Sequence, residues 1–383
     1  MQSLRVLQVC GVTDGGTWFT DQVIELTRRG HHVEAVVSGA GSAMHRLEEA
    51  GVPVHVLPFR GYRVRDLPRV CRALWKLRRL IASGQFDIVH SHLLKSSVLC
   101  RIAALKLPVR LVSQVPGIIH LSSPILRLID LTTLRRDDLL LASCTSFEQT
   151  YRALGVPHTA VAFYGCNTDL LNPLATGDSF REEVGLSSRE VAVGMVAYMY
   201  PTRLKAFRAI GIKGHEVFID AARTVSLRNP CARFFIVGDE FLGDGHYRES
   251  LEDRAADLVS LGILSFLGHR TDMERILAGM DILVNPSLSE SGGGTVIEAS
   301  LMNRPVVASA VGGLLDSVVP GVTGLLVEPG NSAELAVAIE QLILHPAMRE
   351  SFGVAGRPHV KALFDLGRAV SSVEASYARV LMR

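Results

Sequence analysis

The feature that most constrains the fold of this chain is an alternation of short apolar segments with helical segments, which runs through the sequence twice. The apolar segments of the first series are residues 5–9, 32–37, 53–57, 86–90, 111–115 and 139–142, and those of the second are residues 191–196, 234–238, 264–268, 281–285, 305–308 and 325–327. Apolar strands separated by helices are typical of a parallel sheet that is covered by helices on both faces. The sequence therefore predicts an α/β protein with two doubly wound, Rossmann-like domains.

The predicted boundary between the domains lies near a polar segment, residues 167–178, that contains Pro173 and Gly177. Such a composition is typical of a linker. We therefore predict an N-terminal domain over residues 1–172 and a C-terminal domain over residues 173–365. Two doubly wound domains that face each other would bring the carboxyl ends of both sets of strands to one central cleft, where ligands of such folds bind.

The composition excludes several classes of protein. Hydrophobic residues make up 48% and charged residues 20% of the 383 positions, which is typical of a globular chain and not of a disordered one. No apolar run reaches the roughly 18 residues of a membrane span, and the segment after Met1 lacks the apolar core of a signal peptide, so we expect a cytoplasmic protein. The six cysteines have no CxxC spacing, and His90 and His92 have no further ligand at metal-site spacing, so we expect free thiols and no metal.

A glycine-rich turn with a glutamate on each side gives the first indication of a ligand. Residues 281–285 are predicted to form a buried strand, residues 292–294 the turn, and residues 296–302 the start of a helix. Glycines allow close approach of the backbone, and the first N–H groups of a helix attract an anion such as phosphate. Glu290 precedes the turn and Glu298 lies within the helix, so their carboxylates could accept hydrogen bonds from sugar hydroxyls on either side of the phosphates. This arrangement suits a nucleotide-sugar.

The same two glutamates match the E-x7-E motif of retaining glycosyltransferases, and the chain most closely resembles family 4 of these enzymes, which has the GT-B fold. Residues 304–313 and 321–330 are similar to the C-terminal signature of that family. The resemblance implies a GT-B fold, with a C-terminal helix over about residues 366–383 that crosses back to the first domain. It also implies transfer of a hexosyl unit from a nucleoside-diphosphate sugar to a hydroxyl acceptor, with retention of configuration and with no cofactor or metal.

The resemblance also assigns roles to individual residues. Glu290 is expected to contact the transferred sugar and Glu298 the ribose, while Lys213, in a Lys-Gly pair, would neutralise the donor diphosphate. His120 resembles the family histidine that faces the donor sugar, where it would form a hydrogen bond with a hydroxyl. The expected catalytic residues are thus His120, Lys213 and Glu290, and the expected donor-binding residues are Gly15, Gly16, Arg203, Gly292, Gly293, Gly294, Thr295 and Glu298.

One of these assignments departs from the family pattern, and a second concerns a glycine turn in the first domain. Family members usually carry an arginine in a tight Gly-Arg turn before the Lys-Gly pair, and here a longer basic segment replaces that turn. Arg203 is our choice for the second phosphate ligand, with Lys205 and Arg208 as the other candidates. The turn at Gly15 and Gly16 lacks the full G-x-G-x-x-G pattern, which argues against a dinucleotide cofactor, and the resemblance places it across the cleft from the donor.

The sequence leaves the acceptor and one rival activity open. A surface-polysaccharide or lipid-linked intermediate is the broadest expectation for the acceptor, and a natural-product aglycone is the alternative. A nucleotide-sugar 2-epimerase of the GT-B fold is the rival enzyme, and a catalytically silent GT-B protein is a third interpretation. We expect no nucleic acid partner.

The net charge of +2 conceals an asymmetry between the two halves of the chain. Residues 1–170 contain 20 Lys and Arg against 13 Asp and Glu, which gives +7, whereas the remainder contains 20 against 25, which gives −5. Residues 63–81 include a predicted helix from Leu67 with an apolar stripe on one side and basic residues on the other. A helix that covers the core is the simpler interpretation, but its basic face could also rest on anionic lipid at the inner membrane face.

Overall fold

The structure is a computed structural model that describes residues 3–59, 66–201, 210–240 and 245–383. The chain divides into two compact units, of which the first comprises residues 1–167 and 363–383 and the second comprises residues 168–362. Each unit contains one sheet in which all strand pairs are parallel. The predicted fold class, an α/β protein with two doubly wound parallel sheets, is therefore confirmed.

The first unit has a seven-stranded sheet in the order β3-β2-β1-β4-β5-β6-β7. Its strands are β1 (Arg5–Cys10), β2 (His32–Val37), β3 (Val54–Val56), β4 (Ile88–His92), β5 (Arg110–Val115), β6 (Leu139–Ala142) and β7 (Thr159–Val161). Its helices are α1 (Thr17–Arg28), α2 (Ser42–Glu49), α3 (Leu67–Ser83), α4 (Leu94–Ala103), α5 (Pro124–Leu134) and α6 (Thr145–Ala153), with a 3₁₀ helix at Ile119–Ser122. The sequence did not predict β7, because this strand has only three residues and its apolar pattern is short.

The second unit has a six-stranded sheet in the order β10-β9-β8-β11-β12-β13. Its strands are β8 (Val191–Val196), β9 (Ala232–Val237), β10 (Leu264–Gly268), β11 (Ile282–Asn285), β12 (Val306–Ser309) and β13 (Gly324–Val327). Its helices are α7 (Asp178–Glu183), α8 (His215–Ser226), α9 (His246–Arg254), α10 (Ala256–Ser260), α11 (Met273–Gly279), α12 (Gly294–Leu301), α13 (Leu314–Ser317), α14 (Ser332–Leu344) and α15 (Pro346–Phe364), whose last residues belong to the first unit.

Both sheets have helices on both faces, and β1 shows how the sequence achieves this. Val6 packs in a cluster with α1 and the C-terminal helix α16 (Leu366–Leu381), whereas Leu7 packs with α3 and α4. Successive side chains of a strand point to opposite faces, so an unbroken apolar strand fills two cores at once. Helix α16 occupies the predicted C-terminal helical segment and packs against α1.

Each sheet reverses its strand order at one point, between β1 and β4 in the first unit and between β8 and β11 in the second. In doubly wound folds, ligands bind at the carboxyl ends of the strands beside such a reversal, because the loops there diverge to opposite faces. None of the helices in the described ranges combines the length and the hydrophobicity that a membrane span requires. The described residues also contain no group of three or more His, Cys, Asp or Glu side chains that could hold a metal ion. A ligand site is expected at the carboxyl ends of the strands beside these two reversals.

Candidate active site

A lysine and a glutamate meet beside the strand reversal of the second unit. The chain reaches Lys213 after β8 and Glu290 after β11, and these two strands are neighbours in the sheet. The Nζ atom of Lys213 donates a hydrogen bond to Oε2 of Glu290 at 2.5 Å, and both side chains are partly open to solvent. Two of the three predicted catalytic residues therefore form an ion pair at the edge where a ligand would bind.

Close backbone packing holds the lysine in this position. Gly214 begins α8 in the left-handed conformation, with φ 74°, and a Cβ at this position would lie 2.1 Å from the carbonyl oxygen of Pro286. The N–H of Leu288 also donates to the carbonyl oxygen of Ile212 at 2.8 Å. A glycine after Lys213 is thus required because two turns touch backbone to backbone, and this contact fixes Lys213 beside the loop that carries Glu290.

Further contacts hold Glu290 itself. Its Oε1 accepts a hydrogen bond from the N–H of Ser291 at 3.1 Å, and the hydroxyl of Ser287 lies 3.4 Å from Oε2. The carbonyl oxygen of Glu290 accepts the N–H of Gly313 at 3.1 Å, and a Cβ on Gly312 would lie 1.8 Å from that oxygen. The paired glycines after β12 therefore allow the segment before α13 to lie directly against the glutamate loop.

The glycine-rich turn forms the start of α12. Gly293 is left-handed, with φ 69°, and a Cβ there would lie 2.5 Å from Cδ2 of Leu314. Helix α12 begins at Gly294, and the first N–H groups of a helix have no carbonyl partner within it. Among the described residues, no hydrogen bond reaches the N–H groups of Gly294 and Thr295. Together with the positive end of the helix dipole, these groups suit a phosphate.

Glu298, on the second turn of α12, differs from Glu290 in having no hydrogen-bond or ion-pair partner among the described residues. Burial raises the pKa of its carboxyl group to about 7. A partly buried carboxyl group without a partner is less well solvated than a free one, so hydrogen bonds from a ligand would stabilise its ionised form. The site thus contains one carboxylate that is paired with a cation and one that has an open hydrogen-bonding capacity.

In the first unit, His120 lies in the 3₁₀ helix and its ring is held from one side. Nε2 lies 3.0 Å from Oδ2 of Asp130 and 3.0 Å from the hydroxyl of Tyr151. Burial alone would raise the pKa of Asp130, but hydrogen bonds from His120, Arg101 and Tyr151 lower it below its ordinary value. Nδ1 has no hydrogen-bond partner among the described residues, so a proton held on Nε2 by the Asp130 carboxylate would leave Nδ1 as an acceptor.

The turn at Gly15 and Gly16 follows β1, at the strand reversal of the first unit. Both glycines are left-handed, with φ 67° and 68°, and Gly16 is the N-cap residue of α1. The N–H of Gly15 donates to the hydroxyl of Ser42 at 3.1 Å, so this amide already has a partner. These two glycines thus have the backbone conformation that only glycine adopts readily.

The structure also shows supporting residues that the sequence analysis missed. Oε2 of Glu216 accepts the N–H of Gly211 at 2.9 Å, and Oε1 accepts the hydroxyl of Tyr247 at 2.9 Å, which anchors the segment before Lys213. The sequence gives no recognisable signal for this contact, because Glu216 follows Gly211 by only five residues while Tyr247 lies far along the chain, on α9. Arg203, the predicted second phosphate ligand, lies outside the described residues, as do Lys205 and Arg208.

Two family models match the chain. The model for glycosyl transferases group 1 matches residues 203–345, and the model for the glycosyl transferase 4-like domain matches residues 15–166. The matched segments include His120 in one unit and Lys213, Glu290 and Glu298 in the other. Together the two models account for most of the chain.

Similar proteins are found among enzymes and solved structures. The chain is 27% identical over 381 residues to the D-inositol 3-phosphate glycosyltransferase of Rhodococcus opacus strain B4, covering 92% of this chain and 83% of that protein. It is 34% identical over 164 residues to the GDP-mannose-dependent monoacylated alpha-(1-6)-phosphatidylinositol monomannoside mannosyltransferase of Corynebacterium glutamicum, covering 40% and 41% of the two chains. Anabaena HepE, solved with UDP and glucose, superimposes with a TM-score of 0.81 at 21% identity, covering 98% and 99%.

The comparisons give no support to the 2-epimerase alternative. The two family models cover glycosyltransferase domains in both halves of the chain, and the solved neighbour has the same fold. The chain belongs to the group 1, family 4 glycosyltransferases, which have the GT-B fold.

Proposed function

We propose that this glycosyltransferase moves a hexosyl unit from a nucleoside-diphosphate sugar to a hydroxyl acceptor with retention of configuration. The observation that carries the proposal is the Lys213–Glu290 ion pair beside the free N-terminus of α12. One cation and the first N–H groups of a helix suit a diphosphate, and the carboxylates of Glu290 and Glu298 suit the hydroxyl groups at its two ends.

Lys213 and the start of α12 would hold the diphosphate. Without donor, the lysine is paired with Glu290, so the diphosphate would replace a carboxylate oxygen as the nearest anion. As the bond between the sugar and the phosphate breaks, negative charge develops on the leaving oxygen. A fixed ammonium group and the N–H groups of Gly294 and Thr295 would stabilise that charge more in the transition state than in the ground state.

The two glutamates would bind opposite ends of the donor. Glu290, released from Lys213, would accept hydrogen bonds from hydroxyls of the transferred sugar. Glu298 would accept them from the ribose, and these bonds would favour its ionised form in place of the protonated form that burial favours in the free protein.

The reaction needs no enzyme nucleophile in this proposal. The bond between C1 of the sugar and the phosphate oxygen breaks, and the acceptor oxygen bonds to C1 on the same face. The acceptor proton passes to the leaving phosphate oxygen. His120, with Nε2 held by Asp130, would accept a hydrogen bond at Nδ1 from a sugar hydroxyl and so position the donor.

The acceptors named for two relatives support a polyol acceptor. The names of the two enzymes above specify inositol 3-phosphate and a phosphatidylinositol mannoside, so both act on polyols and one of those polyols is lipid-linked. The neighbour solved with UDP and glucose is consistent with a nucleoside-diphosphate hexose as donor. We propose a polyol or saccharide acceptor, free or lipid-linked, and a cytoplasmic enzyme with peripheral contact to anionic membrane through residues 63–81. In the described part of that segment, Arg69, Arg72, Lys76 and Arg79 are exposed.

A panel of nucleoside-diphosphate hexoses, each with and without candidate polyol acceptors, tests this proposal. We expect one donor to be consumed slowly alone and faster with acceptor, and proton NMR of the product to show the anomeric configuration of the donor. An inverted product would exclude the retaining mechanism. Failure to consume any donor, with every nucleoside diphosphate also failing to bind, would favour a catalytically silent protein.

A further inference from the structure

Helix α5 and the 3₁₀ helix before it carry a group of aliphatic side chains on their exposed surface, where polar side chains are more usual. Ile125 is 71% exposed and Leu128 is 65% exposed. Three further side chains of this surface are also exposed, namely Ile119, Leu126 and Ile129. Positions 125, 128 and 129 have the i, i+3, i+4 spacing that places side chains on one face of a helix.

The same helix directs its only acidic residue inward. Asp130 is buried and binds Arg101, His120 and Tyr151, while Ile125 and Leu128 face outward. Helix α5 therefore buries Asp130 together with Leu134 on its inner side, and its outer side is rich in aliphatic residues. A cluster of exposed large apolar residues on one helix face indicates a surface that is covered in use.

The neighbouring surface is basic. Helix α4 packs against both α3 and α5, so these three helices form one layer on the sheet of the first unit. Trp75 on α3 is 59% exposed and lies against Arg79. The exposed basic residues of this layer are Arg69, Arg72, Lys76, Arg78 and Arg79 on α3, Arg127 on α5, and Arg135 and Arg136 directly after it. Helix α3 contains no acidic residue, and the single one of α5 is buried.

We propose that this surface docks on an anionic membrane, with Ile125 and Leu128 among the acyl chains and the basic residues of α3 at the headgroups, so that the enzyme takes a lipid-linked acceptor. A bilayer interface supplies both an apolar layer and negative charge, and aliphatic, tryptophan and arginine side chains are typical of helices that lie in it. A second copy of the chain fits less well, because a symmetric contact would bring these like charges together.

The position of α5 connects this surface to the proposed reaction. The 3₁₀ helix that contains His120 follows β5 and leads directly into α5, so the apolar surface begins next to the candidate residue. A lipid-linked acceptor with its chain in the bilayer would thus present its hydroxyls near the carboxyl edge of the first sheet. The contact through α3 and the delivery of a lipid-linked acceptor rest on the proposed function, whereas the insertion of Ile125 and Leu128 into the bilayer does not.

The experiment measures binding of the full chain to vesicles of phosphatidylcholine alone and of equimolar phosphatidylcholine and phosphatidylglycerol, at low and at physiological salt. We expect binding to the anionic vesicles only. A double variant, Ile125→Ser with Leu128→Ser, should lower that affinity by about tenfold to a hundredfold, because two aliphatic side chains are no longer buried in lipid. The matched control replaces Leu227, 83% exposed, and Leu261, 71% exposed, by serine, which should leave binding unchanged.

A probe of depth distinguishes insertion from charge attraction. An environment-sensitive fluorophore on Ile125→Cys, in a chain whose exposed Cys71 is replaced by serine, should shift to the blue on anionic vesicles, whereas the same label on Leu227→Cys should not. Unchanged vesicle affinity of the serine double variant, or no blue shift, would overturn the proposal. Conversion of a dimer to a monomer by the double variant would overturn it too, since a second copy would then cover α5.

Activity measurements keep this inference separate from the proposed function. The serine double variant should lose transfer to a lipid-linked polyol in vesicles and keep donor hydrolysis in solution. If neither protein consumes any donor, the proposed function fails while the vesicle result still decides the docking. If a variant that no longer binds vesicles still transferred sugar to the lipid-linked acceptor at the full rate, membrane docking would not be what brings this acceptor to the enzyme.

Discussion

The two units place charged groups in contrasting ways. In the first unit, the polar residues around α4 and α5 are buried and satisfied: the guanidinium of Arg101 binds Asp130 at 2.9 Å and Asp137 at 2.8 Å, and all three side chains are buried. In the second unit, the Lys213–Glu290 pair is partly open and Glu298 has no partner among the described residues. Satisfied buried charges hold a structure together, whereas open ones are available to a ligand.

This contrast predicts that charge variants in the first unit lose stability and those in the second lose function. The largest effect is expected for Asp130→Ala, which removes one of the two carboxylates that face Arg101. Breaking a buried ion pair costs about 3–5 kcal/mol of the free energy of unfolding, because an unmatched charge stays buried. Denaturant unfolding of the variant and the wild type measures this loss in the free energy of unfolding. Asp257→Ala, which removes the exposed partner of Arg223, is the control and should change little. An equally small loss for Asp130→Ala would remove the contrast.

Lys213→Ala should have the next largest effect, and on turnover instead of stability. Loss of a cation that stabilises the leaving group is expected to lower kcat by about two to three orders of magnitude, with an unchanged unfolding midpoint. The matched control is Lys361→Ala, which removes a lysine of the same unit that pairs with Asp169 at 2.7 Å on the surface. Equal rates for the two variants would show that the Lys-Gly match has no catalytic meaning.

Glu290→Gln should separate the sugar from the nucleotide. The amide keeps the size of the side chain but loses the charge that accepts hydroxyl hydrogen bonds, so kcat should fall far more than affinity for the free nucleoside diphosphate. Steady-state kinetics and calorimetry with the nucleoside diphosphate measure the two quantities. An equal loss in both would place Glu290 at the nucleotide end.

Glu298→Gln should show the opposite pattern. Affinity for donor and for free nucleoside diphosphate should fall together, by roughly 1.5–3 kcal/mol if the charge-assisted hydrogen bonds to the ribose are buried. Calorimetry with the nucleoside diphosphate is the measurement. A folded variant that binds the nucleotide as the wild type does would remove Glu298 from the site.

The smallest effect is a pH dependence that Glu298 adds to nucleotide binding. Burial raises its pKa to about 7 in the free protein, and ribose hydroxyls would bind the ionised form. Below pH 7 the carboxyl must therefore lose a proton on binding, and affinity should fall by up to about tenfold per pH unit. Glu298→Gln lacks this contribution but keeps that of the nucleotide phosphates, so the difference between the two profiles isolates it. Parallel profiles would contradict the assignment.

The sequence predicted the elements that depend on local pattern. Hydrophobic periodicity predicted both sheets. Glycines marked the turn after Lys213 and the strand–glycine–helix unit around Glu290, and the structure shows that a Cβ at these glycines would clash with neighbouring atoms. It did not predict that Asp130 holds His120, or that Glu216 anchors Gly211 through Tyr247, because such pairs join distant segments without any periodic signal. The exposed face of α5 was missed for a related reason: its aliphatic residues have helical spacing, and only the structure shows that they face outward.

A crystal structure with the nucleoside diphosphate that the donor panel identifies tests the central claim most directly. The account predicts that the diphosphate lies against the N–H groups of Gly294 and Thr295, that Nζ of Lys213 has moved from Glu290 to a phosphate oxygen, and that Glu298 binds the ribose. A nucleotide bound elsewhere, with the Lys213–Glu290 pair intact, would contradict it.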